Sequence, residues 1–147
     1  MAKFVFKMQN ILELREKLEA QQKIAFRNAG AVLYDEQEKL RQLIARQSEY
    51  EKKLREDGLE NIDIAKIRFD RKAIDIMKTK VREQMFNVKK AEETLEEERV
   101  KLDEAIKERK IQYKLRERAL VEFKKEIAKE ESKEIDELVS FNYKAGS

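Results

Sequence analysis

The stretch from residue 64 to residue 138 contains neither glycine nor proline and carries apolar residues at a strict spacing of seven. The repeat consists of Ile67, Ile74, Val81, Val88, Leu95 and Leu102, with Met77, Ala91 and Ala105 between them on the same face. Apolar residues that recur about every 3.5 positions keep one stripe of a helix turned toward a partner, as in a left-handed coiled coil. At about 1.5 Å per residue this helix is on the order of 100 Å long, so it needs a partner along its length.

The clearest turn signal in the chain is Asp57-Gly58, because glycine can adopt the left-handed conformation that closes a helix. Asn61 is then the expected N-cap of the next helix, with Asp63 in its first turn. The preceding apolar pattern predicts a helix of about fifty residues. Gly30 lies inside this helix, either as a hinge or within a small-residue zone that lets two backbones approach closely; we favour close approach. A short connection between two long helices makes them antiparallel neighbours.

The sequence therefore predicts an all-α fold, a long antiparallel two-helix coiled coil whose second helix is the longer one. A single domain spans 1–147, with helix one over about 4–56, a turn at 57–61, helix two over about 62–141 and a tail at 142–147.

Counting outward from the turn places Leu54 near Ile64 and Phe4 near Lys114. The second helix then extends about 25 residues beyond the first, from Arg116 to Phe141. This extension keeps an apolar stripe that must be buried against a second copy or another protein, unless its last turns fray.

The composition excludes most chemistry. The chain has no cysteine and no histidine, which removes disulfides, Cys/His zinc sites and imidazole catalysis. Adjacent acid pairs such as Glu97/Glu98 point in different directions on a helix and cannot act on one atom. We find no phosphate-binding loop and expect no enzyme activity, cofactor or metal. No apolar run approaches the length of a membrane span, so we expect no direct membrane insertion, and a cytosolic location is the default.

Charged residues make up 44% of the chain but nearly cancel, to a net charge of +3. They fall into bands that are basic around 66–82, acidic at 92–98, basic at 107–118 and acidic at 126–137. The bands either solvate a long helix or set the register and the orientation of a partner. Nucleic-acid binding is not expected, because the acidic bands would repel phosphates and stacking aromatics are not interleaved with the basic blocks. Helix-mediated protein binding remains the strongest class.

Three segments resemble motifs of the flagellar export protein FliJ family. The opening from Phe4 to Arg15 (FVFKMQNILELR) resembles its N-terminal aromatic–Leu–Leu–Arg pattern. The segment from Leu43 to Tyr50 (LIARQSEY) resembles a helix-one motif that ends in Gln-x-Glu-Tyr. KEIDEL, at 133–138, resembles the family's terminal Asp-Glu element. The order and spacing of the three segments and the chain length fit the family together.

The resemblance implies a coiled coil similar to the central stalk of rotary ATPases, and a non-enzymatic role in type III protein export, flagellum assembly, motility and chemotaxis. The implied partners are the hexameric flagellar export ATPase, the export gate protein FlhA and export chaperones. The implied location is cytoplasmic, at the inner face of the inner membrane through the export apparatus.

By motif position the resemblance places gate contact at Leu43, Tyr50, Ala73, Met77 and Gln84. The chain has Arg46 and Ala73 where the family often has bulky aromatics, so the gate surface is expected to shift toward Phe69. For the ATPase ring, the expected residues are those of the extension: Arg116, Arg118, Phe123, Lys124, Ile127 and Leu138. The alternative is a generic coiled-coil scaffold, or a stalk subunit of another secretion system or of a rotary ATPase.

Overall fold

A computed structural model describes residues 2–59 and 62–146. It contains two helices, α1 (Gln9–Asp57, 49 residues) and α2 (Ile64–Ala145, 82 residues), and no strand within the described ranges. Gln22 of α1 contacts Glu98 of α2, and Glu36, further along α1, contacts Gln84, which comes earlier in α2. The two helices therefore run in opposite directions. The predicted antiparallel two-helix hairpin with a longer second helix is confirmed.

Each helix begins a few residues later than the sequence pattern predicts. The chain turns into α1 through hydrogen bonds from the Gln9 N–H to the Phe6 carbonyl (3.1 Å) and from the Leu12 N–H to the Met8 carbonyl (3.0 Å). The preceding Phe-Val-Phe segment has a low helix propensity, so residues 4–8 stay outside the helix. Asn61, the expected cap of α2, lies outside the described residues.

The carboxylate of Asp63 caps α2 and does not lie in its first turn. Its Oδ1 accepts the Ala65 N–H at 3.0 Å, which satisfies one of the free donors at the helix start. At the other end, α2 continues to Ala145, past the expected end near residue 141.

Gly58 ends α1 without the left-handed conformation that we expected. Its N–H donates to the Leu54 carbonyl at 3.2 Å, and no described glycine has a positive φ. The Leu59 N–H then donates to the Glu56 carbonyl at 3.1 Å, a tighter i to i+3 bond. The helix therefore ends by tightening its last turn, and the prediction of a left-handed glycine cap is wrong.

The chain divides into two compact units. The turn unit is Gln22–Leu102, and its buried apolar residues are Ala29, Ile74, Met77 and Ala91. The terminal unit is formed by residues 1–21 and 103–147, and its buried apolar residue is Leu12. Five small or medium side chains are a thin core for this many residues, as expected for a two-helix seam.

Candidate partner-binding surfaces

Polar side chains alternate with apolar ones along one seam position of α2. The residues at this spacing of seven are Asp70, Met77, Gln84, Ala91, Glu98, Ala105 and Gln112. Asp70, Gln84 and Gln112 are all at most 7% exposed. The predicted seam includes only the apolar residues of this row, Met77, Ala91 and Ala105. The spacing of seven is the signal by which the polar residues of the row could also have been found.

Two glutamines of the turn unit bind glutamates of the opposite helix. The Gln84 Nε2 donates to the Glu36 backbone carbonyl at 2.8 Å and to its carboxylate. The Gln22 Nε2 donates to the Glu98 carbonyl at 3.3 Å and to its carboxylate. We call these two contacts the glutamine clamps. Each ties a side chain to the backbone of the other helix, so a shift of register would break both.

Small residues fill the seam midway between the glutamine clamps. Ala29 lies seven residues from both Gln22 and Glu36, and Ala91 lies seven from both Gln84 and Glu98. Both alanines are buried. A Cβ on Gly30 would lie 4.0 Å from the Leu95 Cδ1, an ordinary packing distance. Helix α1 continues through Gly30, which fits close helix approach and not a hinge.

Four of the residues expected at the gate surface line one open groove of the turn unit. This groove has a volume of about 380 Å³ and is lined by Tyr50, Phe69, Lys72, Ala73, Ile76 and Met77. We call it the aromatic groove. Phe69 is 65% exposed at its edge, whereas Met77 is buried in its floor. The groove offers an apolar surface with a lysine at its rim.

The other two expected gate residues lie outside the aromatic groove. Gln84 is buried and its amide is engaged by Glu36 in a glutamine clamp. Leu43 is half-buried. The motif position of Gln84 is a seam position, so this side chain holds the two helices together and is not part of an exposed surface.

Two carboxyl groups meet where α1 ends. Asp70 is 4% exposed, and its Oδ2 has no hydrogen-bond partner among the described residues. A hydrogen bond with the Asp57 side chain raises the pKa of the Asp70 carboxyl. Burial and the negative charge of Asp57 raise this pKa further, and the charges of Lys53 and Lys66 oppose the rise. Asp70 therefore holds its proton to a higher pH than an exposed aspartate does.

In the terminal unit, aromatic rings and charges close the seam. The Phe4 and Phe123 rings lie 5.4 Å apart at 54°, and the Arg116 guanidinium lies 5.7 Å from the Phe4 ring centroid. Glu19, only 5% exposed, accepts a hydrogen bond from the Arg109 Nε. The buried carboxylate is therefore paired, as its desolvation requires.

The predicted pairing of Phe4 with Lys114 is wrong, because Phe4 packs nine residues further along, against Phe123. Residues 4–8 lie outside α1. A residue outside a helix can span up to about 3.3 Å, whereas a helical residue rises about 1.5 Å, so this segment can reach further along α2 than a count of helical residues allows. The part of α2 without a partner begins at residue 124, not at 116, and we call residues 124–145 the overhang.

The apolar stripe of the seam continues along the overhang. Ile127 is half-buried, and every described residue after it is exposed. Ile135, Leu138 and Phe141 recur at three-residue steps and are 60%, 61% and 69% exposed. About two turns of helix with such a stripe and no cover present a surface for another molecule.

The structure separates the expected ring-binding residues into two groups. Arg116 and Phe123 lie against Phe4 within the hairpin. Arg118 and Lys124 are exposed, and Leu138 lies on the stripe of the overhang. Only the residues beyond Phe123 are free of the first helix, so the surface open to a partner is shorter than predicted and lies nearer the end of α2.

The described residues offer no site for bond chemistry that we can identify. Across 2–59 and 62–146, no group of three acidic side chains is arranged to hold a metal ion. No helix in the same ranges is long and apolar enough to cross a membrane. The fold, the exposed stripe and the aromatic groove define a helical hairpin of the kind that acts by binding other proteins.

The chain belongs to the family of flagellar FliJ proteins, because the sequence profile for "Flagellar FliJ protein" matches residues 4–146. The resemblance seen in its motifs is thus confirmed, and the family makes it a component of flagellar-type protein export. A structure from Chlamydia trachomatis, of a protein proposed to be a YscO homolog, has the same fold. It is 22% identical, with a TM-score of 0.73 over 97% of this chain and 96% of the other. No curated protein sequence matches the chain.

Proposed function

We propose that the protein is a stalk-like coiled coil that binds the hexameric flagellar export ATPase through its overhang. The observation that carries this proposal is the seam stripe that continues beyond Phe123 with nothing to cover it. A single helix with an apolar stripe and flanking charges can enter an opening lined by several subunits, where each subunit covers part of the stripe.

The charges of the overhang give the contact an orientation. Lys124, Lys125 and Lys129 lie near its start, and the acidic residues Glu130, Glu131, Glu134, Asp136 and Glu137 follow. A partner of complementary charge distribution would be steered to one direction of insertion. In this proposal the apolar stripe supplies the affinity and the charge gradient supplies the orientation.

The aromatic groove is the proposed contact for the export gate protein FlhA. Tyr50 and Phe69 offer two rings beside an apolar floor, which is the composition of a binding hot spot. Export chaperones are further proposed partners. Through these contacts the protein would lie at the cytoplasmic face of the inner membrane.

In mechanism, such a protein performs no bond chemistry. It shifts the ATPase toward its assembled, active form by binding that form more tightly than the free subunit. The size of the shift is limited by this difference in affinity, so variants that weaken the ring contact must also weaken the activation.

The test is ATP hydrolysis by the purified export ATPase of the same organism, with and without this protein, together with electron microscopy of ring formation. We expect faster hydrolysis and more hexamers. The Ile135→Asp/Leu138→Asp variant should lose both effects, whereas Val121→Asp, a half-exposed position before the overhang, should keep most of each. Full stimulation by the overhang variant would count against the ring contact.

A generic coiled-coil scaffold is the second candidate function. The aromatic groove supports it if this protein changes neither ATP hydrolysis nor ring formation by the export ATPase. In that case the groove would be the only functional surface. Capture of a partner by the unaltered chain but not by the Tyr50→Ala/Phe69→Ala variant, with no effect on ATP hydrolysis, would favour this reading.

A further inference from the structure

The segment of α2 from Lys66 to Lys90 carries an excess of positive charge that residues 36–57 of α1 do not neutralise. It holds nine lysines and arginines and three carboxylates, one of which, Asp70, is buried. Residues 36–57 of α1, in the same unit, hold six cations and six anions and are neutral. The excess therefore comes from this segment of α2 and not from residues 36–57 of α1.

The cations of this segment stay unpaired where those further along α2 do not. Arg99 lies 2.6 Å from the Glu96 carboxylate and Lys101 lies 3.5 Å from that of Glu98. Within the described part of the chain, none of the nine cations between 66 and 90 forms such an ion pair. They are thus available for an anionic partner.

Exposed apolar side chains stand among these cations. Phe86 is 67% exposed, with Arg82 one turn before it and Lys89 and Lys90 one turn after it. Phe86 lies on the side of α2 opposite the seam. Gln84, two residues before it, is buried in the seam, and Val88, two residues after it, is half-buried. The position gives this ring nothing to pack against within the hairpin.

Two further apolar residues extend the surface toward the start of α2. Phe69 is 65% exposed and Ile76 is 47% exposed, and both lie among lysines and arginines. We define the basic face as Arg68, Lys72, Arg82, Phe86, Lys89 and Lys90.

We propose that the basic face binds the surface of a membrane that contains anionic lipid, with the cations at the headgroups and Phe86 in the boundary of the acyl region. Clusters of four to eight cations on one helix, with aromatic residues among them, have the chemistry of such sites. The helix would lie on the membrane, since it is too polar to cross it.

A lipid surface fits better than nucleic acid. Phe69 and Phe86 are seventeen residues apart, about 25 Å along the helix, which is too far for stacking on neighbouring bases. An aliphatic side chain such as Ile76 has no role against a phosphate backbone, but it can enter the acyl boundary. The proposal is independent of the ATPase contact, because the basic face lies in the turn unit and the overhang lies in the terminal unit.

The experiment measures flotation of the full chain with vesicles of phosphatidylcholine alone and of phosphatidylcholine with phosphatidylglycerol. We expect binding only to the anionic vesicles, weakened by added salt. The Arg82→Glu/Lys89→Glu/Lys90→Glu variant should bind at least about 100-fold more weakly, since each cation near the surface contributes about fivefold. The matched control, Lys107→Glu/Lys110→Glu/Lys114→Glu, makes the same charge change on exposed positions of the terminal unit and should retain most of the binding.

A second readout follows the ring at position 86. The chain contains no tryptophan, so a Phe86→Trp variant carries one reporter. Its emission should shift to shorter wavelength with anionic vesicles, whereas a Tyr34→Trp variant, exposed on α1, should not shift. Equal loss of binding in both triple variants, or no shift at position 86, would overturn the proposal. Binding to an acidic protein or to DNA that exceeds binding to vesicles would also overturn it. Circular dichroism identifies a variant that fails to fold, and then the Phe86→Trp result decides.

Discussion

The two units of this hairpin hold their helices together by different means. In the turn unit, amide side chains reach across the seam to backbone carbonyls, as Gln84 does to Glu36. In the terminal unit, an ion pair of the buried Glu19 with Arg109 and the tilted ring pair of Phe4 and Phe123 close the seam. Contacts with a backbone carbonyl select one register, whereas charge and ring contacts tolerate small shifts.

The difference matches what each unit must do. The turn unit carries the aromatic groove, whose shape depends on residues of both helices, so its register has to be defined. The terminal unit has to end one helix and leave the other exposed. A ring pair serves this purpose, because Phe4 covers the last part of the shared seam at Phe123 and leaves the stripe of the overhang uncovered.

The largest expected effect comes from breaking the ion pair of the terminal unit. Arg109→Ala removes the cation that binds the buried Glu19 carboxylate across the seam, which should lower the free energy of unfolding by about 3 kcal/mol. Urea denaturation measures this change, and hydrogen exchange should rise in residues 9–21 more than in the turn unit. Lys125→Ala is the control, since its pair with Glu122 is exposed, and it should cost at most about 0.5 kcal/mol. Equal effects of the two changes would contradict the assigned role.

Breaking a glutamine clamp should have the next largest effect, now in the turn unit. Gln84→Ala removes both hydrogen bonds that cross the seam to Glu36, so we expect a loss of about 2 kcal/mol in denaturation experiments. Gln47→Ala removes a glutamine that bonds only to Glu51 of its own helix and should cost about 0.5 kcal/mol or less. If Gln84→Ala were as mild as Gln47→Ala, the register of the turn unit would not depend on the clamps.

A smaller effect on stability is expected where small residues fill the seam of the turn unit. Gly30→Ala should raise the free energy of unfolding by about 0.5–1 kcal/mol, because alanine favours helix and its Cβ meets Leu95 at an ordinary distance. The reverse change at an exposed neighbour, Ala31→Gly, should cost a similar amount. A destabilised Gly30→Ala variant would mean that the helices are closer than this packing allows.

The smallest expected effect concerns pH at the end of α1. Because the folded pKa of Asp70 is raised above its usual 3.8, the protonated pair contributes stability below that pH. This contribution is lost as the pH rises through the folded pKa. Asp70→Asn keeps a hydrogen-bond donor without the charge, so it should raise the Tm at neutral pH and flatten its dependence on pH. A Tm that falls at neutral pH would argue that the ionised carboxylate, held by Lys53 and Lys66, is the stabilising form.

The sequence was sufficient for the architecture but not for the register. The seven-residue repeat from Ile67 to Leu102 and the Asp57-Gly58 break predict two antiparallel helices, because periodicity reports which face is buried. The pairing of Phe4 could not be counted correctly, since the count assumed helical rise through residues 4–8, which lie outside α1. The buried amides and carboxyls of the seam were also missed, because apolar spacing does not reveal which polar residues find a partner across the helices.

Four of the six expected gate residues meet in one groove, yet their role as a gate contact remains a prediction. Motif position selected Tyr50, Ala73 and Met77, and the expected shift of the surface added Phe69; all four line the same groove. It also selected Gln84, whose place on the seam only the geometry reveals. The sequence also predicted the uncovered stripe of the overhang, but the predicted start, at residue 116, is eight residues too early. Arg116 and Phe123 were therefore expected to contact a partner, whereas both contact Phe4.

The central claim is that the overhang is the surface that a partner ATPase covers. Hydrogen–deuterium exchange of the full chain, alone and with the hexameric export ATPase, tests this most directly. We predict slower exchange across residues 124–145 when the ATPase and nucleotide are present, with little change in the turn unit. Unchanged exchange in the overhang, in a sample where the protein stimulates ATP hydrolysis, would contradict the claim and direct attention to another surface.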